Sequence, residues 1–419
     1  MSECFFTTSL AEFANITMGQ SPGSDRYNKE ERGLPFLQGC AEFGPRYPAP
    51  EIYCHPPLRI AKQGSILISV RAPVGTMNMA DQNYCIGRGL GSIQGISGVS
   101  DTSFLHYAIE QNAGFLHRRS QGSTFLAIGS EDLKHLPLPK LNIKIQERIS
   151  KILAIVDAAI EKTDSLISKY QRIKMGLMHD LFTRGVTIDG KLRPPREQAP
   201  ELYKETPIGW IPKEWQYDLL DELALRGSGH TPNKNIPQYW NGTIKWVSLA
   251  DSHRLDRLYI TETEYEVSQA GIQNSSAVIH PAGTVILSRD AGIGKSAITT
   301  EPMAVSQHFM CWRCNNRLDR YFLYYWLQFK KRTFENIAMG STILTIGLPY
   351  FKKLKIVAPR NREEQKRIGE ILRNIDIQIF ALEADLKKKN QQKQGLMHDL
   401  LTGKVSVKAE QELMEEACA

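Results

Sequence analysis

The sequence predicts an α/β protein built as a pseudo-twofold tandem repeat: two α/β modules, each followed by a long helix, with the two helices forming an antiparallel coiled coil. Three observations predict it. Residues 146–186 and 365–405 align at a constant offset of 219 without a gap, with 17 of 41 positions identical. Both aligned stretches carry apolar side chains at alternating steps of three and four. The same offset relates short β-branched runs upstream, 65–70 and 284–288.

The long segments come first because their period is clearest. Leu153, Val156, Ile160, Thr163, Ile167 and Tyr170 form one stripe, and Leu372, Ile375, Ile379, Leu382 and Leu386 form the other. Such spacing over about three heptads marks a coiled-coil seam rather than a lone surface helix. A helix of about 38 residues is roughly 57 Å long. Two matching seams most simply pack on each other, and antiparallel packing would place the modules at opposite ends. Each segment closes on the same run, Gly-Leu-Met-His-Asp-Leu, at Gly176 and at Gly395. Leu177, Met178 and Leu181, with Leu396, Met397 and Leu400, would be apolar side chains at a helix end, and are candidates for docking a protein partner.

Upstream, Gly64-Ser65-Ile66-Leu67-Ile68-Ser69 aligns with Gly283-Thr284-Val285-Ile286-Leu287-Ser288, and Gly75 with Gly294. Glycine-bordered, β-branched runs of this length read as strands. Residues 101–113 and 318–329 read as helices with an apolar face. The stretch 187–206 holds a turn signal at Asp189-Gly190 and an extended one at Pro194-Pro195, and reads as a hairpin plus linker. The domain boundaries follow: modules at 1–140 and 207–360, long helices at 141–186 and 361–403, and a C-terminal tail at 404–419.

Composition bounds the function. The 419 residues are 42% apolar and 23% charged, as in ordinary globular domains, and no apolar run nears the roughly 20 residues of a membrane span. The N-terminus lacks a basic stretch before an apolar core, so the expectation is a cytoplasmic protein. Seven scattered cysteines do not suggest a disulfide framework. His308, Cys311 and Cys314 have a metal-like spacing, but their neighbours alternate as in a buried strand, so no metal is expected. The net charge is +7, with zero on residues 1–140 and +5 on residues 207–360. Neither module would bind a polyanion through bulk charge; local clusters in a shaped groove would be needed.

The sequence offers no complete catalytic motif. A phosphate-binding loop around Gly294-Lys295-Ser296 would need its first glycine at 289, where Arg289 stands. No Asn/Asp-Pro-Pro-Tyr/Phe segment is present for gripping a flipped base. The Asp-x-Lys triplets at 132–134 and 385–387 read as solvated surface, and no Ser/His/Asp triad can be assigned. No catalytic residue and no cofactor is expected on this chain.

In sequence order, Gly19-Gln20-Ser21-Pro22, then Leu34-Pro35-Phe36-Leu37-Gln38-Gly39, open the first module. Pro207-Ile208-Gly209-Trp210-Ile211-Pro212, Thr231-Pro232 and Tyr239-Trp240-Asn241-Gly242-Thr243 open the second. Gly-Ser-Thr, a proline and then Gln-x-Arg-Ile at a long helix follow in both. Over nearly the whole chain this order resembles the specificity subunits of type I restriction–modification systems. The resemblance implies two target-recognition domains reading the halves of a split, asymmetric site in double-stranded DNA. It implies paired helices that set the spacer and dock modification (methyltransferase) subunits, two of them, with restriction (endonuclease/translocase) subunits added. S-adenosylmethionine, ATP and Mg would then sit on those partners. The specificity subunit of a related system outside type I, and a self-sufficient nuclease or methyltransferase, are the alternatives.

Phosphate contacts position a protein on DNA, and base-edge contacts specify the site. In the first module Arg118, Arg119, Gln121, Ser123 and Thr124 combine guanidinium, amide and hydroxyl groups suited to either. The matching stretch of the second supplies Lys331, Arg332, Ser341 and Thr342. Arg71 and Arg289 leave equivalent strands, and Lys295 lies on the loop that follows Arg289. Gly292 and Lys295 align with Pro73 and Thr76, so the two modules would read different sequences.

Overall fold

The computed structural model describes residues 6–120, 127–340 and 344–407. The chain divides into two compact units. Residues 1–163 and 385–419 form one, and residues 164–384 the other. Each unit therefore contains one module, the start of the long helix that follows it, and the end of the other long helix.

In the first unit, Ile66–Ser69 lies inside a four-stranded antiparallel sheet, between Leu90–Gly95 and Met77–Met79, with Ala14–Met18 at the edge. Successive strand side chains point to opposite faces, and here both faces are buried. Ile66 and Ile68 meet the helix Thr102–Gln111 through Phe104 and Leu105, while Leu67 joins Tyr84, Ile86 and Leu90 beneath a second sheet. That second sheet contains a parallel pair, Phe36 opposite Cys85 and Leu37 opposite Ile86.

The second unit repeats the plan. Val285–Ser288 lies between Phe309–Cys314 and Ser296–Thr299. Val285 and Leu287 pack toward the helix Arg320–Phe329, and Ile286 packs the other way with Phe309 and Cys311. The alternation read at His308–Cys314 is thus a strand buried on both faces. Met310 and Trp312 lie in the helix-side core, and burial pushes the Cys311 thiol up. The parallel pair recurs as Trp246 opposite Ala304 and Val247 opposite Val305.

The long helices span Ile143–Thr183 and Arg362–Leu401. All eleven seam side chains are buried or half-buried; their exposed neighbours include Ile155 and Ile377. Each helix is anchored to its own module by the glutamine of its Gln-x-Arg-Ile run. Gln146 is fully buried; its Oε1 accepts from the Asp101 backbone N–H at 3.0 Å, and its Nε2 donates to Leu141 O at 2.8 Å. Gln365, also fully buried, accepts from Asp319 N at 2.8 Å and donates to Pro359 O at 2.7 Å. Asp101 and Asp319 in turn cap the module helices, accepting from Phe104 N and Phe322 N, so one buried amide fixes two helix starts at once.

Within each unit the two long-helix segments run antiparallel. In the second, Lys174 pairs with Asp376, while Leu181 and Phe182 pack with Ile368 and Leu372. In the first, Lys393 pairs with Asp157, while Met397 and Leu400 pack with Ile149 and Leu153.

Two expectations need correction. Leu181, Met397 and Leu400, offered as partner-docking residues, are 1%, 4% and 4% exposed and belong to the cores of their units. Leu177, Met178 and Leu396 are half-buried against the same cores. The apolar helix ends need a partner, and the chain supplies it. The stretch 187–206 begins as a turn, with Val186 bridged to Leu192 and Gly190 at a φ of 81°. It is more than a linker, because Arg193 is buried and ion-paired to buried Glu364. Glu364 also accepts from Trp215 Nε1 and Val186 N, each at 3.1 Å, so one carboxylate gathers the turn, the module start and the helix start.

Candidate nucleic-acid interface

In both modules the central strand runs out into the same turn. Ser69 N donates to Thr76 O at 2.8 Å and Gly75 N to Ser69 O at 2.9 Å; Ser288 N donates to Lys295 O at 2.8 Å and Gly294 N to Ser288 O at 3.0 Å. Gly75 and Gly294 have φ of 86° and 79°, a region that favours glycine. The serine hydroxyl closes each turn, Ser69 onto Arg71 O at 2.7 Å and Ser288 onto Asp290 O at 3.0 Å.

Other segments converge on this turn through matching backbone bonds. Val70 N donates to Gly89 O at 3.0 Å, and Arg289 N to His308 O at 2.9 Å. Ile128 N donates to Val70 O at 3.0 Å, and Ile346 N to Arg289 O at 2.9 Å. Gly87 N reaches Leu37 O and Ser306 N reaches Val247 O, both at 2.8 Å. Gln20 N reaches Ile86 O at 2.9 Å, and His230 N reaches Val305 O at 3.0 Å. One hydrogen-bonded junction is therefore built twice, from the opening motif, the two parallel strand ends, the central turn and the segment returning after the basic helix.

The side chains on that frame differ. In the first module Arg71 and Arg88 are exposed, and among the described residues neither makes an ion pair. Ser21 Oγ accepts from Arg88 N at 3.2 Å and from Gln38 Nε2 at 2.9 Å. In the second, Thr231 Oγ1 donates to Gln307 Oε1 at 2.5 Å, His308 Nδ1 lies 2.5 Å from Asp290 Oδ2, and Thr345 Oγ1 bonds the other Asp290 oxygen.

The residues expected at DNA divide by their neighbours. Arg118 and Arg332 are exposed at the basic helices Ala113–Arg119 and Lys331–Ile337. Arg119 is half-exposed, stacked 4.7 Å from the Phe115 ring centre and 3.9 Å from Asp132 Oδ1. Arg289, Lys295 and Lys331 spend donors inside the module: Arg289 Nε on Ile346 O at 3.0 Å, Lys295 Nζ on Ser252 O at 3.0 Å, and Lys331 Nζ on Asp256 Oδ2 at 2.5 Å. Gln121, Ser123, Thr124, Ser341 and Thr342 lie outside the described residues.

Ser21, Gln38, Arg88, Thr231 and Gln307 are not conspicuous by residue type, and His308 is so only for its spacing to Cys311 and Cys314. Ser21, Gln38 and Thr231 belong to the opening motifs, whereas Arg88, Gln307 and His308 do not; strand pairing brings them all to the turn. Among the described residues, no group of His, Cys, Asp and Glu is placed to hold a metal ion, and no helix is long and apolar enough to cross a membrane.

A family model, type I restriction modification DNA specificity domain, matches residues 56–168 and again 212–392. The putative type I restriction enzyme MjaX specificity subunit of Methanocaldococcus jannaschii is 38% identical over 182 residues, 43% of this chain and 41% of that protein. The MjaVIII specificity subunit of the same organism is 24% identical over 320 residues, 74% of this chain and 72% of that one. The chain thus aligns with under half the length of the first of these relatives. The crystal structure of a type I restriction–modification system S subunit from M. genitalium has the same fold, with a TM-score of 0.62 at 15% identity, covering 97% of this chain and 98% of that one. Two matched segments, one across each module and into its long helix, cover well over half the sequence, and the chain belongs to the type I restriction modification DNA specificity domain family.

Proposed function

We propose that this chain is the DNA-reading specificity subunit of a type I restriction–modification complex, without a catalytic site of its own. Each module reads one half of a bipartite, asymmetric site in double-stranded DNA. The observation that carries this is the doubled junction: the same backbone bonds are made twice, and different polar side chains stand on them. A repeated frame suits one kind of ligand, and altered side chains suit two versions of it.

Modification subunits, two by the family resemblance, and restriction subunits supply the chemistry. S-adenosylmethionine, ATP and Mg belong to them, consistent with the absence of their sequence motifs here. The buried Leu181, Met397 and Leu400 are unsuited to holding these partners. The paired helices keep a role in spacing the half-sites. Cytoplasmic residence follows from DNA as the ligand.

The test is reconstitution. The purified chain alone should neither bind S-adenosylmethionine nor methylate DNA, and mixing it with its modification subunits should produce sequence-specific methylation. Methyl transfer by the chain alone, or specific methylation by the other subunits without it, would overturn the proposal.

A further inference from the structure

The doubled junction permits a residue-by-residue comparison inside one molecule. Arg88 and Gln307 stand at the same place on it. Each follows the residue whose N–H closes the parallel pair, Gly87 or Ser306, and precedes the residue whose carbonyl accepts from the central turn, Gly89 or His308. Both side chains are exposed. The frame under them is the same to within about a tenth of an ångström in bond length, so the difference between the modules here is one of side-chain chemistry.

The Gln307 carboxamide is oriented by its neighbours. His308 Nδ1 lies 2.5 Å from the Asp290 carboxylate. Gln307 Nε2 lies 3.3 Å from His308 Nε2. Thr231 Oγ1 donates to Gln307 Oε1 at 2.5 Å, so the amide oxygen faces Thr231 and the amide nitrogen faces His308. A carboxamide has two N–H donors and two acceptor lone pairs. One acceptor site faces Thr231 and one donor faces His308, leaving one donor and one acceptor for a ligand. That remainder complements the N7 and N6 groups of adenine in the major groove. Arg88 has no ion pair or side-chain hydrogen bond among the described residues, and its guanidinium fork complements the two acceptors of guanine, O6 and N7.

We propose that Arg88 and Gln307 are equivalent base-reading residues of the two modules, Arg88 taking a guanine in one half-site and Gln307 an adenine in the other. This rests on the reading of the chain as a DNA specificity subunit.

The test uses the full complex with its modification subunits and maps methylated sites genome-wide for the wild type, Arg88→Gln and Gln307→Arg. Arg88→Gln should lower preference for guanine at one base pair of one half-site by roughly tenfold or more and leave the other half-site unchanged. Gln307→Arg should do the same at one adenine of the opposite half-site. Thr231→Val, which frees the amide without replacing it, should weaken discrimination at the same adenine and serves if Gln307→Arg does not fold. Unchanged half-sites with modification retained would overturn the proposal. So would a loss of affinity uniform across sequences, which marks a phosphate contact instead. A wild-type complex without sequence-specific methylation would instead count against the underlying reading of function.

Discussion

Lys174 Nζ donates to Asp376 Oδ1 at 2.6 Å, and the same carboxylate accepts from the Tyr325 hydroxyl at 2.8 Å. The repeat reproduces this with the helix roles exchanged: Lys393 lies 3.0 Å from Asp157, which accepts from Tyr107 at 2.6 Å. Burial and the adjoining carboxylate push both phenols well above their ordinary range, so each tyrosine stays a donor. Each acid ties both long helices to a module helix.

Asp376→Ala should therefore leave the half-buried Lys174 and the fully buried Tyr325 without their acceptor. Removing one partner of a buried pair costs about 3–5 kcal/mol. Asp157 is more exposed, and its loss should cost less. Denaturant midpoints compare the two; an Asp376→Ala protein as stable as wild type would contradict the buried role.

Glu364 offers a sharper contrast within one cluster. It is 8% exposed and shared by Arg193, Trp215 and Val186, whereas Glu214, which also binds Arg193, is 77% exposed. Glu364→Ala should lose about 3–5 kcal/mol and Glu214→Ala at most about 1 kcal/mol. Equal losses would mean that exposure does not govern these pairs.

Adjacent cations on one helix separate stability from binding. Lys331 is bonded to Asp256, which also accepts from Gln328 Nε2 at 2.6 Å and Ser296 N at 3.0 Å. Lys331→Met should lower the melting temperature, whereas Arg332→Ala should weaken DNA binding by the complex and leave melting unchanged. The reverse pattern would place Lys331, not Arg332, at the DNA.

The sequence revealed the repeat, the seams and the central strands because each is a periodic signal within a short window. Asp157 and Asp376 carry no such signal, since a carboxylate beside a seam reads as solvated surface until its lysine and tyrosine are placed around it. Leu181, Met397 and Leu400 read as apolar side chains for docking a partner rather than as core, because apolar periodicity reports that a side chain is covered and not by what. The DNA candidates are basic, amide or hydroxyl-bearing residues. Which of them are tied inward depends on Asp256, Ser252 and Thr345, remote in sequence. The junction at Arg88 and Gln307 depends on a parallel strand pair, which no local pattern announces.

Arg118→Ala with Arg119→Ala tests module independence. If these side chains face DNA, one half-site should lose up to about 1–3 kcal/mol of discrimination or show a shallower salt dependence. The other half-site should keep its base preference. Equal loss at both would mean that the modules do not read separately.

The central claim is that two different readers share one chain, and its most direct test is a genome-wide map of methylated bases in cells carrying the complex, with and without this chain. The account predicts one bipartite motif, its two halves different in sequence and separated by a fixed gap, that disappears when the chain is removed. A continuous motif, two identical halves, or methylation that persists without the chain would contradict it.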